Sequence, residues 1–261
     1  MTGSRDLITA SKLPSHEAAR LLALVTGHAV GELRAGLTID DATGFAELVA
    51  RRLAGVPLQY LEGEVTFGPI TVSVDERVLI PRPETEYLYS LVANQRETPG
   101  VIVDLGSGSG ALALALKHRF PQARVLAVDI SSDALEVSRA NGKRLGLEVE
   151  WREGDLWQAL PAAVRGRVDL LVANPPYVSE QEWQLLPADV KEEPMLALVG
   201  GPKGTEIIEE ILVPIEEWLA PYGVGYVEVG ETQAQGLAGR YNCVAIPDQY
   251  GKPRFLQVVR R

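Results

Sequence analysis

The chain has 261 residues, 46% of them hydrophobic and 23% charged, enough apolar material for a substantial core and too evenly spread a charge for a disordered tail. Its 25 Lys and Arg against 35 Asp and Glu leave a formal net charge of −10, which argues against a general electrostatic grip on a nucleic-acid backbone. The single cysteine, Cys243, excludes an internal disulfide framework and a cysteine-cluster metal site, and the 3 histidines lack ligand spacing, so no metal is expected.

The first residues, Met1 to Arg20, contain no apolar signal-peptide core, and no stretch approaches the ~18 uninterrupted apolar residues of a membrane span. A cytoplasmic protein without membrane contact is expected. Up to Gly55 the pattern is helical: Ala18, Leu21, Leu22 and Val25 share one face of a helix entered at Pro14 and ended near Gly27. Phe45, Leu48, Val49 and Leu53 share a face of another, with Asp40 or Asp41 as its cap and Gly55 beyond its end. From Gly63 the period becomes two, and Gly68-Pro69 separates two short alternating runs, which predicts a hairpin. In Ile80-Pro81-Arg82-Pro83-Glu84-Thr85-Glu86 the prolines hold the chain extended until a helix begins near Glu84.

Beyond Pro99, strands at 101–104, 124–129, 148–152, 168–173 and 225–229 alternate with helices at 110–118, 133–145 and 206–219, and a terminal hairpin follows at 241–246 and 254–259. The expected fold is α/β: a mostly parallel, doubly wound Rossmann-like sheet with an antiparallel end. A small N-terminal helical domain (1–62) joins it through a β-hairpin (63–80), leaving 81–261 as the larger domain.

Three stations along the predicted sheet bear chemistry. Asp104-Leu105-Gly106-Ser107-Gly108-Ser109-Gly110 is a glycine-rich turn from the first strand into its helix, where the backbone can approach a nucleotide-containing ligand. The same residues satisfy a dinucleotide-binding pattern, and a tight turn without ligand is the plain alternative. Asp129 ends the second strand, where a carboxylate reaches ribose hydroxyls, although it would also suit the cap of the following helix. Asp155-Leu156-Trp157 supplies an acceptor for an adenine amino group and apolar surface for its ring, with Trp157 nearly as suited to plain core.

The sharpest element is Asn174-Pro175-Pro176-Tyr177, directly after the apolar run 168–173. Neither proline has an N–H, so the segment offers mainly acceptors, which suits a substrate that donates. An NH2 group on a conjugated carbon would give one hydrogen to the Asn174 oxygen and the other to a proline carbonyl while Tyr177 packs on its plane.

Together these residues resemble the S-adenosylmethionine-dependent amino methyltransferases. Over nearly the whole chain they resemble the HemK-type release-factor glutamine N5-methyltransferases, through Pro57 to Gly63, Val78 to Glu86, the glycine loop, Asn174 to Tyr177, Glu193-Pro194 and Asp248 to Arg254. The Ile80 to Glu86 run discriminates, because many nucleic-acid amino methyltransferases share the Asn-Pro-Pro element without it. Ser107 stands where threonine is usual, and Gly201 to Thr205 departs further, with Lys203 and Thr205 in place of Asp and Leu; that loop receives no role.

The resemblance implies transfer of a methyl group from S-adenosylmethionine to the glutamine of the Gly-Gly-Gln loop in class I peptide-chain release factors, by a monomer that needs no direct nucleic-acid contact. It assigns the cofactor to the glycine loop from Asp104 to Gly110 and to Asp129, Asp155, Leu156, Trp157 and Asn174. The substrate falls to Asn174 through Tyr177, with Arg82, Glu84, Thr85 and Glu86 shaping the mouth and the helical domain recognising the release factor. No general base is identified. A DNA or RNA exocyclic-amino methyltransferase is the rival reading, set back by the acidic charge, and a cofactor-binding scaffold without turnover is the third.

Overall fold

The computed structural model describes residues 2–94 and 98–261. By its contacts the chain divides into two units, one running to Glu64 and including Pro187–Glu192, the other formed by Val65–Leu186 and Glu193–Arg261.

The first unit is helical: α1 (Ser4–Ala10), α2 (Ser15–Thr26), α3 (Val30–Ala35), α4 (Phe45–Leu53) and α5 (Leu58–Glu62), with a small antiparallel pair, β1 (Thr2–Gly3) and β2 (Thr38–Ile39), which the helical periodicity conceals. Ala18, Leu21 and Leu22 of α2 are fully buried beside Leu33, Phe45 and Leu58, so the apolar stripe read from the sequence is its core. Gly27 ends α2 in the left-handed conformation at φ +71°, a state that favours glycine. Neither Asp40 nor Asp41 caps α4; Gly44 occupies the cap, and Asp41 instead accepts from the Thr43 N–H at 2.8 Å.

β3 (Glu64–Phe67), which belongs to the second unit from Val65 onward, and β4 (Ile70–Ser73) form the hairpin, followed by α6 (Pro83–Ala93) with its proline in the first turn. Then come β5 (Val101–Leu105), α7 (Ala111–Arg119), β6 (Arg124–Asp129), α8 (Ser132–Leu145), β7 (Glu150–Glu153) and β8 (Val168–Ala173). The chain continues through α9 (Glu180–Leu185), α10 (Glu206–Leu212), α11 (Ile215–Trp218), β9 (Leu219–Glu228), α12 (Ala234–Arg240), β10 (Val244–Pro247) and β11 (Pro253–Val259).

Seven strands make one sheet in the order β10-β11-β9-β8-β5-β6-β7, parallel from β9 through β7 and antiparallel at the β11 and β10 end. The expected α/β, doubly wound architecture with a terminal antiparallel hairpin is therefore the observed one. β5 and β8 are buried almost throughout because helices cover both faces, which is why their sequences read as continuous apolar runs and not as alternation. α7 has six consecutive buried residues, Ala111 to Leu116, the mark of an interior helix.

The single helix expected over 206–219 is two, because Pro214 brings no N–H and a ring that cannot follow the preceding turn. β9 starts six residues before Gly225, and α9 and α12 were not foreseen. No helix among the described residues is long and apolar enough to cross a membrane.

The strand order reverses on either side of β5. The loops after β5 and after β8 therefore open a crevice at the carboxyl edge of the sheet, the place where doubly wound folds hold ligands.

Candidate active site

The glycine loop leaves β5 with Gly106, Gly108 and Gly110 at φ +76°, +52° and +79°, values an L side chain rarely adopts. The N–H groups of Gly106 and Ser107 both donate to the Val128 carbonyl, at 2.9 and 3.0 Å, which ties the turn to β6. Gly108 donates to Asp129 Oδ2 at 2.7 Å, and a Cβ at Gly108 would meet open space. Asp129 does not cap α8: Ser131 does, accepting from the Ala134 N–H, while Asp129 Oδ1 accepts from the Ser131 N–H at 3.0 Å. Burial holds the Asp129 carboxyl above its usual range despite these bonds.

A cavity of about 180 Å³ lies in the crevice, bounded by Gly106 and Gly108, by Asp129, by Asp155 and Leu156, and by Asn174, Pro175 and Pro176. Leu156 stands at φ +42°, a strained state for a branched side chain, at the point where the chain turns past this cavity. A smaller pocket continues behind Asn174 along Asp104, Ser107, Ser109 and Thr85. The Ser107 hydroxyl there is buried without a partner, which leaves a polar atom for a ligand. Glycines that clear a path, a carboxylate at each end and a spare hydroxyl fit the nucleoside-bearing cofactor that the sequence implies. Among the described residues no group of three or more His, Cys, Asp or Glu is placed to hold a metal ion.

Trp157, Gly110 and Glu86, all expected at the site, stand elsewhere. Trp157 turns away from the cavity: its ring stacks on Trp218 at 5.3 Å and its Nε1 donates to the Glu210 carbonyl at 3.1 Å, because the turn at Leu156 directs the chain back onto the core. Gly110 caps α7 under the Trp151 ring, where a Cβ would come within 2.7 Å of that ring; it packs and does not line the cavity. Glu86 accepts from the Gly68 N–H at 2.8 Å and so fastens the hairpin turn to α6 instead of facing a substrate.

Arg82 is drawn to Glu193 at 2.5 Å, and Glu193, itself buried, also accepts from the Ile80 N–H at 2.9 Å. The Ile80 to Glu86 run is thus anchored by a carboxylate 113 residues away, a role no local pattern announces. Ser109 gives its carbonyl to Asn141 Nδ2 at 3.0 Å, and the same amide group bonds Ser73 of β4 in both directions.

Asn174, Pro175 and Pro176 leave β8 together at the cavity wall. Asn174 Nδ2 donates to Thr85 Oγ1 at 2.9 Å, and Thr85 Oγ1 donates to Glu228 Oε2 at 2.8 Å. Thr85 is therefore buried behind Asn174, not exposed at the mouth, and Asn174 keeps its oxygen as acceptor. Tyr177 lies beyond the cavity wall with its hydroxyl 3.5 Å from Glu228 Oε1; burial, then the negative charge of Glu228, raises the phenol above its ordinary value. Burial likewise raises Glu228 to about 7, with Glu84 adding repulsion and Thr85 and Arg254 opposing it.

The segment is braced from outside by Val199, Gly200 and Gln233, the first two lying just before the loop that had no assigned role. Val178 and Val199 bridge, the Gly200 N–H donates to the Val178 carbonyl at 2.9 Å, and Gln233 Nε2 donates to the Tyr177 carbonyl at 2.9 Å. Glycine at 200 and 204 reflects this closeness to backbone, not a bond its own side chain makes.

Asp104, fully buried, accepts from the Ala113 N–H at 3.1 Å and is raised to about 7 by burial, with the charge of Asp129 adding to the shift. Because the folded value lies above the unfolded one, its contribution to stability is complete below the unfolded pKa and is lost as pH rises through 7. Thermal unfolding between about pH 4 and 8.5 is expected to show a midpoint that falls up to about pH 7 and levels off above it, with a shallower fall in Asp104→Asn, which keeps an acceptor for Ala113 but cannot ionise. Equal slopes in both proteins would refute this assignment.

The family model described as "Methyltransferase small domain" matches residues 84–189. The chain is 38% identical over 227 residues to a release factor glutamine methyltransferase of Koribacter versatilis, covering 84% of this chain and 80% of that protein. It is 39% identical to that of Mycolicibacterium smegmatis, covering 91% and 89%, and 36% identical to that of Deinococcus radiodurans, covering 100% and 97%. Among solved structures, the ribosomal protein L11 methylase of Lactobacillus delbrueckii subsp. bulgaricus superposes with a TM-score of 0.51 at 18% identity, covering 70% of this chain and 82% of that one. A methyltransferase of Pyrococcus furiosus gives 0.52 at 17%, covering 72% and 87%; both likenesses concern the fold.

Proposed function

The chain belongs to the release factor glutamine methyltransferase family, and we propose that it methylates the side-chain amide nitrogen of the glutamine in the Gly-Gly-Gln loop of class I peptide-chain release factors. The observation that carries the reading to a mechanism is the state of Asn174: its nitrogen is committed to Thr85, so its oxygen is the group left to receive a hydrogen from the substrate amide.

S-adenosylmethionine, when bound, supplies an electrophilic methyl group on a sulfonium. Gly106, Gly108, Asp129, Asp155 and Leu156 are the residues that would hold it. An amide nitrogen is a poor nucleophile because its lone pair is delocalised. Asn174 Oδ1 and the Pro175 carbonyl take the two amide hydrogens and fix the direction of the nitrogen, and orientation of this kind is worth about 7 kcal/mol or more when the reacting atoms are well placed. The same two oxygens favour the positive charge that develops on nitrogen during transfer, and that charge is discharged when one of the two amide hydrogens leaves as a proton to water, the methylated cation being a strong acid. Pro175 and Pro176 contribute by what they lack, since neither brings an N–H that would compete for those acceptors.

The N-terminal helical unit contacts the body of the release factor beyond the loop, and the protein acts as a monomer in the cytoplasm without touching nucleic acid. The acidic surplus of ten charges supports that last point. Intact-mass analysis of a purified class I release factor after incubation with this protein and S-adenosylmethionine tests the reading. A one-methyl gain is expected on the unaltered factor and none on its Gln→Ala loop variant. No gain, with cofactor binding confirmed by calorimetry, would overturn the substrate and direct the search to nucleic-acid amino groups.

A further inference from the structure

Glu228 is the last residue of β9 and has no solvent exposure. A carboxylate in such a place costs folding free energy that an apolar side chain of similar size would not, so its retention asks for a role. The hydrogen bonds around it suggest one. A carboxamide is nearly symmetric, and turning it end for end exchanges an acceptor for a donor at little steric cost. Nothing in Asn174 itself decides which end faces the cavity. The Thr85 hydroxyl does not decide either, because it can donate or accept. An ionised carboxylate can only accept, and it is 2.8 Å from Thr85 Oγ1, so the hydroxyl hydrogen goes to Glu228 and the Thr85 lone pairs are left for Asn174 Nδ2 at 2.9 Å.

We propose that Glu228 is a positioning residue for methyl transfer: acting through the Thr85 hydroxyl, it holds the Asn174 carboxamide with its oxygen toward the substrate amide. The inference rests on the reading of Asn174 as the acceptor for a substrate NH2 group.

The groups that face Glu228 are Thr85 and Glu84 of α6, Tyr177 after β8 and Arg254 of β11. Arg254 and the Thr85 bond favour the ionised form, while burial and Glu84 oppose it, leaving the group near 7. Protonation makes Glu228 a donor and releases the direction of the Thr85 hydroxyl. Turnover therefore carries an acidic limb: kcat falls as pH drops through the Glu228 transition and is full above it.

The test is kcat at saturating release factor and S-adenosylmethionine between about pH 6 and 9, with cofactor affinity measured separately by calorimetry. Glu228→Gln, which has the same shape and does not titrate, is expected to lose about 10-fold in kcat at high pH and to lose the acidic limb, with cofactor affinity within about 2-fold. Thr85→Val, which breaks both bonds, is expected to lose about 100-fold, and Thr85→Ser, which restores the hydroxyl, to recover most of it. The Thr85 pair decides the matter even should Glu228→Gln fold poorly. Wild-type kcat with an intact acidic limb in Glu228→Gln would overturn the proposal, as would a parallel loss of cofactor affinity and turnover, or a failure of serine to rescue. Absence of methylation by the unaltered protein, with cofactor bound, would instead overturn the reading of the reaction, and this inference with it.

Discussion

Asn174→Ala is expected to lower kcat by about 10³-fold while leaving S-adenosylmethionine affinity within a few-fold of the unaltered protein. The asymmetry follows from what the side chain touches. On the cofactor side Asn174 is one of many residues around the cavity, and Gly106, Gly108, Asp129 and Asp155 remain in place without it. On the substrate side its oxygen is the acceptor that orients the nucleophile, and an alanine methyl offers nothing in return. Truncation also leaves the Thr85 hydroxyl without its donor, but that hydroxyl keeps its bond to Glu228, so the loss of stability is modest, about 1 kcal/mol. Single-turnover kinetics with calorimetry check the prediction. An equal loss of affinity and rate would make Asn174 a structural residue of the crevice.

A larger structural effect is expected at Gly200. A Cβ built there would lie 2.2 Å from the Pro176 carbonyl oxygen, 2.9 Å from its carbon and 3.1 Å from the Gly204 carbonyl oxygen. All three obstacles are backbone, so no side chain can swing aside, and the rigid Pro175-Pro176 pair cannot yield locally. Gly200→Ala must displace either the bracing loop or the Asn174 to Tyr177 segment. The expected cost is about 3 kcal/mol, seen as a midpoint lower by roughly 10 °C, together with loss of activity even where the protein remains folded. Gly239→Ala is the control: a Cβ at that position of α12 meets nothing within 4 Å, and alanine there should leave the midpoint unchanged or slightly higher. Similar midpoints for the two variants would show that the loop yields and that the brace is loose.

What the sequence made legible was local. Asn174 to Tyr177 stand at the end of an apolar strand, and such a strand announces itself because both its faces are covered. The glycine turn and Asp129 follow the same logic, since the strands before them are equally plain. Trp157 was misplaced because the three residues Asp155, Leu156 and Trp157 read as one station, whereas the strained turn at Leu156 splits them between cavity and core.

The Thr85 to Glu228 bond spans 143 positions and exists only because the first turn of α6 meets the end of β9 in the fold, a juxtaposition that no motif encodes. One signal was nonetheless present: Glu228 falls between Val227 and Val229 in an apolar run, where a charge is out of place. Asn141 gave a similar hint as a fully buried amide on the inner face of α8. Gly200 gave none, because its contribution is the absence of a side chain and becomes visible only once the Pro176 carbonyl is in place.

The partition of the chain bears on how this architecture can be recombined. Since Pro187–Glu192 belongs to the same compact unit as the residues up to Glu64, the polypeptide passes between the two units three times, after Glu64, after Leu186 and after Glu192. A single crossover near residue 64 would exchange the helices but leave behind six residues suited to the previous ones. Chimeras that graft another helical unit onto this sheet will have to transplant two segments together. In lineages, substitutions in the 187–192 stretch should accordingly keep step with the amino-terminal helices more than with the sheet residues on either side of it.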